Sequence, residues 1–315
     1  MRGKELAWRL LQGAFVVAVL WYGAELLSGQ WGEVRALRAS VGTDWRGVTT
    51  ASLIVLVSYA VLIATWRATV QAWGERISIG DAARIWFISN LGRYVPGKVW
   101  QIGAMGVMAQ RVGVSPVAAV GSALVVSLVH VLVGFVIVAV TGRSLLGAAL
   151  PRGPVVPIVL GLMGVALIGA PWLVPFGARL VGRITGRDIA EPHLPPTAIW
   201  LAAGGSAVAW LLFGFAFRVL ATALLGAAAG DVNAYIAVFT LSYLLGFVAL
   251  FAPGGIGVRE LSMAALLASA GLASDAEAAW LVVGSRLWLT LLEILPGGIL
   301  LLLPARRPET PSAIL

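Results

Sequence analysis

The sequence predicts an all-α polytopic membrane protein with about six full transmembrane helices and two Pro-Gly-broken re-entrant hairpins in an inverted repeat. Three observations predict it. Of 315 residues, 60% are hydrophobic and only 11% charged, against roughly 25% charged in soluble proteins. A soluble fold does not cover that much apolar surface. Uncharged runs at 47–66, 112–142, 153–178, 194–217 and 232–258 each approach or exceed the roughly 20 residues that cross a ~30 Å hydrocarbon layer. The third observation is that one pattern of helix stops and starts surrounds both Pro96-Gly97 and Pro253-Gly254.

The chain begins MRGKELAWR before an apolar run from Leu10 to Ala24, like a signal peptide, but no small-x-small cleavage site follows. A retained first span over 8–27 is therefore expected. Segment 31–46 sets Trp31, Val34, Leu37, Val41 and Trp45 at helical spacing opposite Arg35 and Arg38, which suits a helix lying flat on the outer interface. Further full spans are expected at 48–68, 116–141, 154–176, 196–225 and 276–303. The stretches left between them, 80–113 and 232–273, read as helical hairpins. Legs of about 13 to 16 residues in the first reach only ~20 to 24 Å, too short to cross comfortably.

Orientation follows from Lys and Arg placement. With the N-terminus inside, the inner set is Arg2, Lys4, Arg9, Arg67, Arg76, Arg84, Arg179, Arg183, Arg187, Arg306 and Arg307; the outer set is Arg35, Arg38, Arg46, Arg143 and Arg152. Eleven against five puts both termini in the cytoplasm. This placement at span ends also accounts for the net charge of +8 without nucleic acid. No cysteine and two histidines leave no thiolate chemistry and little room for a metal cluster, so neither metal nor cofactor is expected.

The repeat is written in punctuation. The first hairpin opens with Gly80-Asp81, breaks at Pro96-Gly97 and closes with Gly113-Val-Ser115; the second opens with Gly230-Asp231, breaks at Pro253-Gly254 and closes with Gly271-Leu-Ala-Ser274. Asp caps a helix start, Pro-Gly stops one helix and opens the next, and Ser caps the span that follows. Ser274 has Glu277 three residues on, a capping-box pattern. Span, hairpin, span thus occurs at 48–141 and, inverted, at 196–303 within one membrane domain over 1–315. Inverted repeats with broken helices are a secondary-transporter architecture, with the site where the breaks meet. The alternative is two ordinary turns; legs of about 20 and 18 residues in the second hairpin are long enough to span, which would put Arg259 at the cytoplasmic interface.

Residues 92–98, GRYVPGK, match a phosphate loop except that Val99 replaces its hydroxyl. No strand precedes it and Pro96 removes an N–H, so nucleotide binding is excluded. A helix start after Gly97 with Arg93 and Lys98 beside it still suits an anion. Around the second break, FAPGGIGVRE, Gly254, Gly255 and Gly257 permit close approach, and Arg259-Glu260 places charge inside the membrane, a functional signal by default. Arg286 and Glu293 are seven residues apart and share one helix face, where they either neutralise each other through an intermediary or flank a polar path. His130, mid-span, is either a proton carrier or a packed core residue. Asn90, Tyr94 and Gln101 flank the first break and serve either a headgroup or the freed backbone.

With ISNLGRYVPGKVWQIG and LFAPGGIGVRE in hand, the chain resembles the family of the lysylphosphatidylglycerol synthase transmembrane region, flippase-like membrane proteins, over roughly residues 8 to 304. The resemblance implies lipid translocation and carries functional weight onto Arg93, Pro96, Gly97 and Lys98, and onto Pro253, Gly254, Gly255, Gly257, Arg259 and Glu260. Because the sequence ends at ARRPETPSAIL, no soluble aminoacyl-transferase domain is expected.

The expected function is a transporter rather than an enzyme: a flippase in a bacterial inner membrane moving an anionic phospholipid, aminoacyl-phospholipid or polyprenyl-phosphate-linked lipid. The alternative is a membrane-embedded enzyme or accessory subunit modifying lipid-linked sugars or phospholipids. Expected partners are lipids with phosphate-bearing headgroups; a homo-oligomer and a separate lipid-modifying enzyme remain open.

Overall fold

Helix boundaries follow local capping chemistry. The computed structural model describes residues 42–92, 99–143, 196–249 and 255–303, with single positions 162, 165 and 169. These form α1 (Trp45–Ala72), α2 (Ile79–Leu91), α3 (Val99–Arg111), α4 (Pro116–Thr141), α5 (Pro196–Leu225), α6 (Val232–Val248), α7 (Val258–Ser269) and α8 (Asp275–Leu302). No strand occurs among the described residues. By length and composition α1, α4, α5 and α8 are membrane-span candidates. They match the expected spans at 48–68, 116–141, 196–225 and 276–303. The expected span 8–27, nearly all of 154–176 and most of 31–46 lie outside the described residues.

Several local expectations need correcting. The carboxylate of Asp44 accepts from the Arg46 N–H at 3.0 Å, so α1 starts at Trp45 and Trp45-Arg46 belong to a span rather than to an interfacial segment. Ser78, not Asp81, caps α2: its hydroxyl accepts from the Asp81 N–H at 3.1 Å and donates to Asp81 Oδ2 at 2.6 Å. Ser115 makes no side-chain cap bond; its N–H instead donates to Glu75 Oε1 at 3.2 Å. Asp231 does cap α6, accepting from the Ala234 N–H at 2.9 Å. At α8 the capping box forms as expected, with Ser274 N–H to Glu277 Oε2 at 2.8 Å. The legs of the second hairpin are 17 and 12 residues, shorter than the 20 and 18 that sequence allowed. Helix α6 ends where Ala249 leaves helical geometry at ψ 75°, and α7 cannot start before Val258 because Gly255 (φ 70°) and Gly257 (φ 87°) hold non-helical conformations.

The two closing glycines do one job. Gly113 N–H donates to Gln110 O at 3.1 Å and Val114 N–H to Ala109 O at 3.0 Å; Gly271 N–H donates to Ala268 O at 3.0 Å and Leu272 N–H to Leu267 O at 3.0 Å. Both are left-handed helix stops, with φ of 79° and 64°, in which the residue after glycine reaches back five positions. The helix pairs in substantial contact also map onto themselves when α1 is exchanged with α5, α2 with α6, α3 with α7 and α4 with α8. At the centre α1 and α5 lie side by side and antiparallel: Asp44 N–H donates to Ala223 O at 3.0 Å, while Thr65 abuts Gly205 further along.

Small residues permit these close crossings, as expected where lipid supplies no hydrophobic drive between helices. A Cβ at Gly214 would collide with the Ile236 backbone Cα and come within 2.9 Å of its Cβ. Helix propensity alone favours alanine by about 1 kcal/mol, but a backbone atom cannot rotate aside, so overpacking of about 1–3 kcal/mol decides. Gly214→Ala is expected to lower the thermal unfolding midpoint in detergent. Gly204→Ala, on the same helix with nothing within 4 Å, is expected to raise it. Equal shifts in the two variants would contradict the α5–α6 packing.

Candidate functional site

A cavity of about 400 Å³ is lined by residues of all eight described helices, with α1 contributing Leu62 and Trp66 and α5 contributing Trp210. Asn90, Gln101, His130, Gly255, Arg259, Arg286 and Glu293 all line it. A smaller cavity of about 50 Å³ lies against Tyr59, Trp86, Phe239, Tyr243, Arg259 and Glu293. Sequence spacing therefore selected residues that the fold brings to one place from five helices and one turn. Arg93, Tyr94, Pro96, Gly97, Lys98, Pro253 and Gly254 lie outside the described residues.

Arg259 is the centre of this arrangement. On α7 it shares a buried face with Met263 and Leu267, at helical spacing, and is only 8% exposed. Its guanidinium carbon lies 5.4 Å from the Phe239 ring centre and 5.0 Å from that of Tyr243. Such contacts contribute roughly 2 kcal/mol or more when desolvated, whereas taking a cation out of water costs several. The rings offset only part of that cost. The Nη2 group is buried and makes no hydrogen bond among the described residues, and Arg259 lines the cavity.

Glu260, next in sequence, does something else. Its Oε2 accepts from the Gly257 N–H at 2.6 Å, closing the first turn of α7, and its Oε1 is 3.4 Å from Arg286 Nε. The adjacent charges Arg259 and Glu260 thus serve separate contacts, because neighbouring residues on a helix point in different directions. Glu293, 8% exposed, accepts from the Tyr59 hydroxyl at 3.1 Å, tying α8 to α1. Arg286 and Glu293 do share the cavity face of α8 that their seven-residue spacing implied.

Two amides and an imidazole complete the lining. Gln101 Nε2 donates to Asn90 Oδ1 at 2.6 Å, linking the legs of the first hairpin. Asn90 is buried, and its Nδ2 makes no hydrogen bond among the described residues. His130 stacks on Trp210 with ring centres 4.3 Å apart and an interplanar angle of 14°. The Trp210 indole N–H donates to the His130 carbonyl at 2.9 Å, but His130 Nδ1 is buried without a partner among the described residues. His130 is thus packed against Trp210 and also lines the cavity. Sequence reasoning missed the aromatic wall: Tyr59, Trp86, Trp210, Phe239 and Tyr243. Phe239, Tyr243 and Phe247 recur every four residues on α6, a one-face stripe that was there to be read.

Long apolar helices with exposed hydrophobic faces, closed around a cavity carrying buried charge, define a multi-pass integral membrane protein. Over residues 9–297 the chain matches the family described as "Lysylphosphatidylglycerol synthase TM region", and it belongs to that family. Membership places it among membrane proteins related to lipid handling. No curated protein matches it at significant similarity.

Proposed function

We propose that the protein is a lipid flippase, translocating an anionic phospholipid, aminoacyl-phospholipid or polyprenyl-phosphate-linked lipid across a bacterial cytoplasmic membrane. The observation that carries this reading is Arg259: a buried cation lining an amphipathic cavity, with an Nη2 that makes no hydrogen bond among the described residues. A buried charge of this kind is costly for folding alone, and an anionic headgroup is the chemistry that would use it. Arg259 binds phosphate together with Arg93 and Lys98, and the helix starts near Gly97 and Gly257 add their dipoles. Asn90 and Gln101 hydrogen-bond the uncharged part of the headgroup.

The two hairpins are re-entrant and belong to an inverted repeat, 48–141 and 196–303, with both termini cytoplasmic. Support comes from the repeated glycine stops, the exchange symmetry of the helix contacts and the antiparallel pairing of α1 with α5. In such an architecture the two halves rock around a fixed central site.

The test is movement of fluorescent phosphatidylglycerol or polyprenyl phosphate between leaflets of vesicles containing the purified protein. Protein-dependent exchange is expected, with at least a tenfold loss in Arg259→Gln and a smaller loss in Lys98→Ala. Absence of any exchange with either lipid sinks the reading, and chemical conversion of the lipid by purified protein replaces it with the enzymatic one.

A further inference from the structure

The cavity is divided by chemistry. Its charge comes from α7 and α8, which supply Arg259, Arg286 and Glu293; α3 and α4 contribute Ile102, Met105, Val120 and Leu124 with the uncharged polar Gln101, Ser127 and His130. Ile102, Leu124 and Phe247 of α6 line the cavity yet are 42%, 56% and 46% exposed. They therefore mark its rim. Helix α4 packs against both α3 and α6, while α3 and α6 are not among the pairs in substantial contact. Among the described residues the rim is thus a gap between α3 and α6 floored by α4, which carries no Asp, Glu, Lys or Arg between Pro116 and Thr141.

We infer that this gap is a lateral mouth, through which the hydrocarbon chain of one lipid stays in the bilayer while its headgroup sits inside against Arg259. The inference rests on the lipid-translocation reading and narrows its substrate. A volume of about 400 Å³ lies near the low end of ligand pockets, roughly 300–1,000 Å³. That admits a phosphate and a few carbons and excludes an oligosaccharide. A soluble anion has no use for an uncharged wall. For a lipid the wall is decisive: dragging a tail through water costs roughly fourfold in partition per methylene, and an apolar mouth avoids it.

The chain has no native cysteine, so single cysteines report cleanly. Leu124→Cys carries the probe, and Leu128→Cys, 54% exposed on α4 but off the cavity lining, is the control. Each full-length variant is labelled with a bulky apolar methanethiosulfonate. Two measurements follow: phosphatidylglycerol exchange in vesicles, and glycerol 3-phosphate binding in detergent by tryptophan emission, to which Trp86 and Trp210 of the lining contribute.

Labelling at 124 is expected to cut exchange at least tenfold, reversibly on reduction, with glycerol phosphate binding changed less than twofold. Labelling at 128 is expected to change neither. The mouth is refuted if label at 124 leaves exchange within twofold, if label at 128 blocks equally, or if glycerol phosphate binding is lost along with exchange. If the unlabelled protein exchanges no lipid, translocation fails separately. The mouth is then judged by native mass spectrometry: displacement of retained phospholipid by label at 124 supports it, and retention overturns it.

Discussion

Arg259→Met is expected to make the protein more stable and inactive at once. Methionine keeps the length and much of the volume of the side chain but removes the charge. Replacing a whole buried ion pair by apolar side chains often stabilises by about 1–4 kcal/mol, whereas removing one partner of a pair destabilises. Arg259, 8% exposed, with an Nη2 lacking a hydrogen bond and no salt bridge among the described residues, leaves no ion-pair partner behind. The opposing loss is the contact with Phe239 and Tyr243, roughly 2 kcal/mol, partly recovered because a thioether also packs against aromatic rings. Desolvation is the larger quantity, so the midpoint of thermal unfolding in detergent should rise.

Glycerol 3-phosphate binding should meanwhile fall roughly 10- to 150-fold, the equivalent of losing one hydrogen bond from a charged group at about 1.5–3 kcal/mol. Arg259→Lys keeps the charge without the planar fork and is expected to lie between the two. A less stable methionine variant would mean that Arg259 is a structural cation, and the phosphate assignment would fall with it.

The fold was legible wherever a span ends on strong local chemistry. Helix α4 runs over 116–141 as expected, because Pro116 has no N–H to leave unsatisfied at the first turn and Gly142 follows the last. The start of α1 was misjudged for the opposite reason: Trp45 continues a helical periodicity from Trp31, and periodicity does not tell a span from the amphipathic segment before it. Only the Asp44 cap, with its backbone bond to Ala223, separates them.

Site residues were legible in kind but not in partnership. A buried charge signals itself in sequence because it is expensive, which is why Arg259, Arg286 and Glu293 stood out. What each touches depends on how helices rotate about their axes. Nothing near Glu260 announces that it closes the turn at Gly257 while also facing Arg286. Nothing near Tyr59 announces Glu293, 234 residues away. The aromatic wall was passed over for a different reason: its stripe on α6 is readable, but in a chain with 13 tryptophans and 10 phenylalanines an aromatic stripe is expected on lipid-facing and core faces alike and does not by itself mark a site.

The strictest geometric requirement of the site belongs to residues without side chains, Gly246 and Gly255. A Cβ on Gly255 would come within 2.9 Å of the Gly246 carbonyl oxygen and 3.0 Å of its Cα, and Gly255 has φ of 70°. Left-handed strain of about 1–2 kcal/mol and overpacking of about 1–3 kcal/mol therefore act together, and Gly255→Ala should destabilise by roughly 2–5 kcal/mol. Gly246→Ala is the more informative change. Helix propensity favours it by about 1 kcal/mol, yet its Cβ would sit 2.9 Å from Arg259 Cβ. The clash falls on the residue that carries the site, so phosphate binding should weaken more than stability does. If Gly246 acts through Arg259, the effects are not additive: the Gly246→Ala, Arg259→Met double variant should bind glycerol 3-phosphate no worse than Arg259→Met alone. A further loss in the double variant would assign Gly246 a contact with the ligand in its own right. Gly246→Ala binding at the level of the unaltered protein would mean that the turn carrying Gly255 gives way without moving the guanidinium, and that the close approach of the hairpin legs serves packing alone.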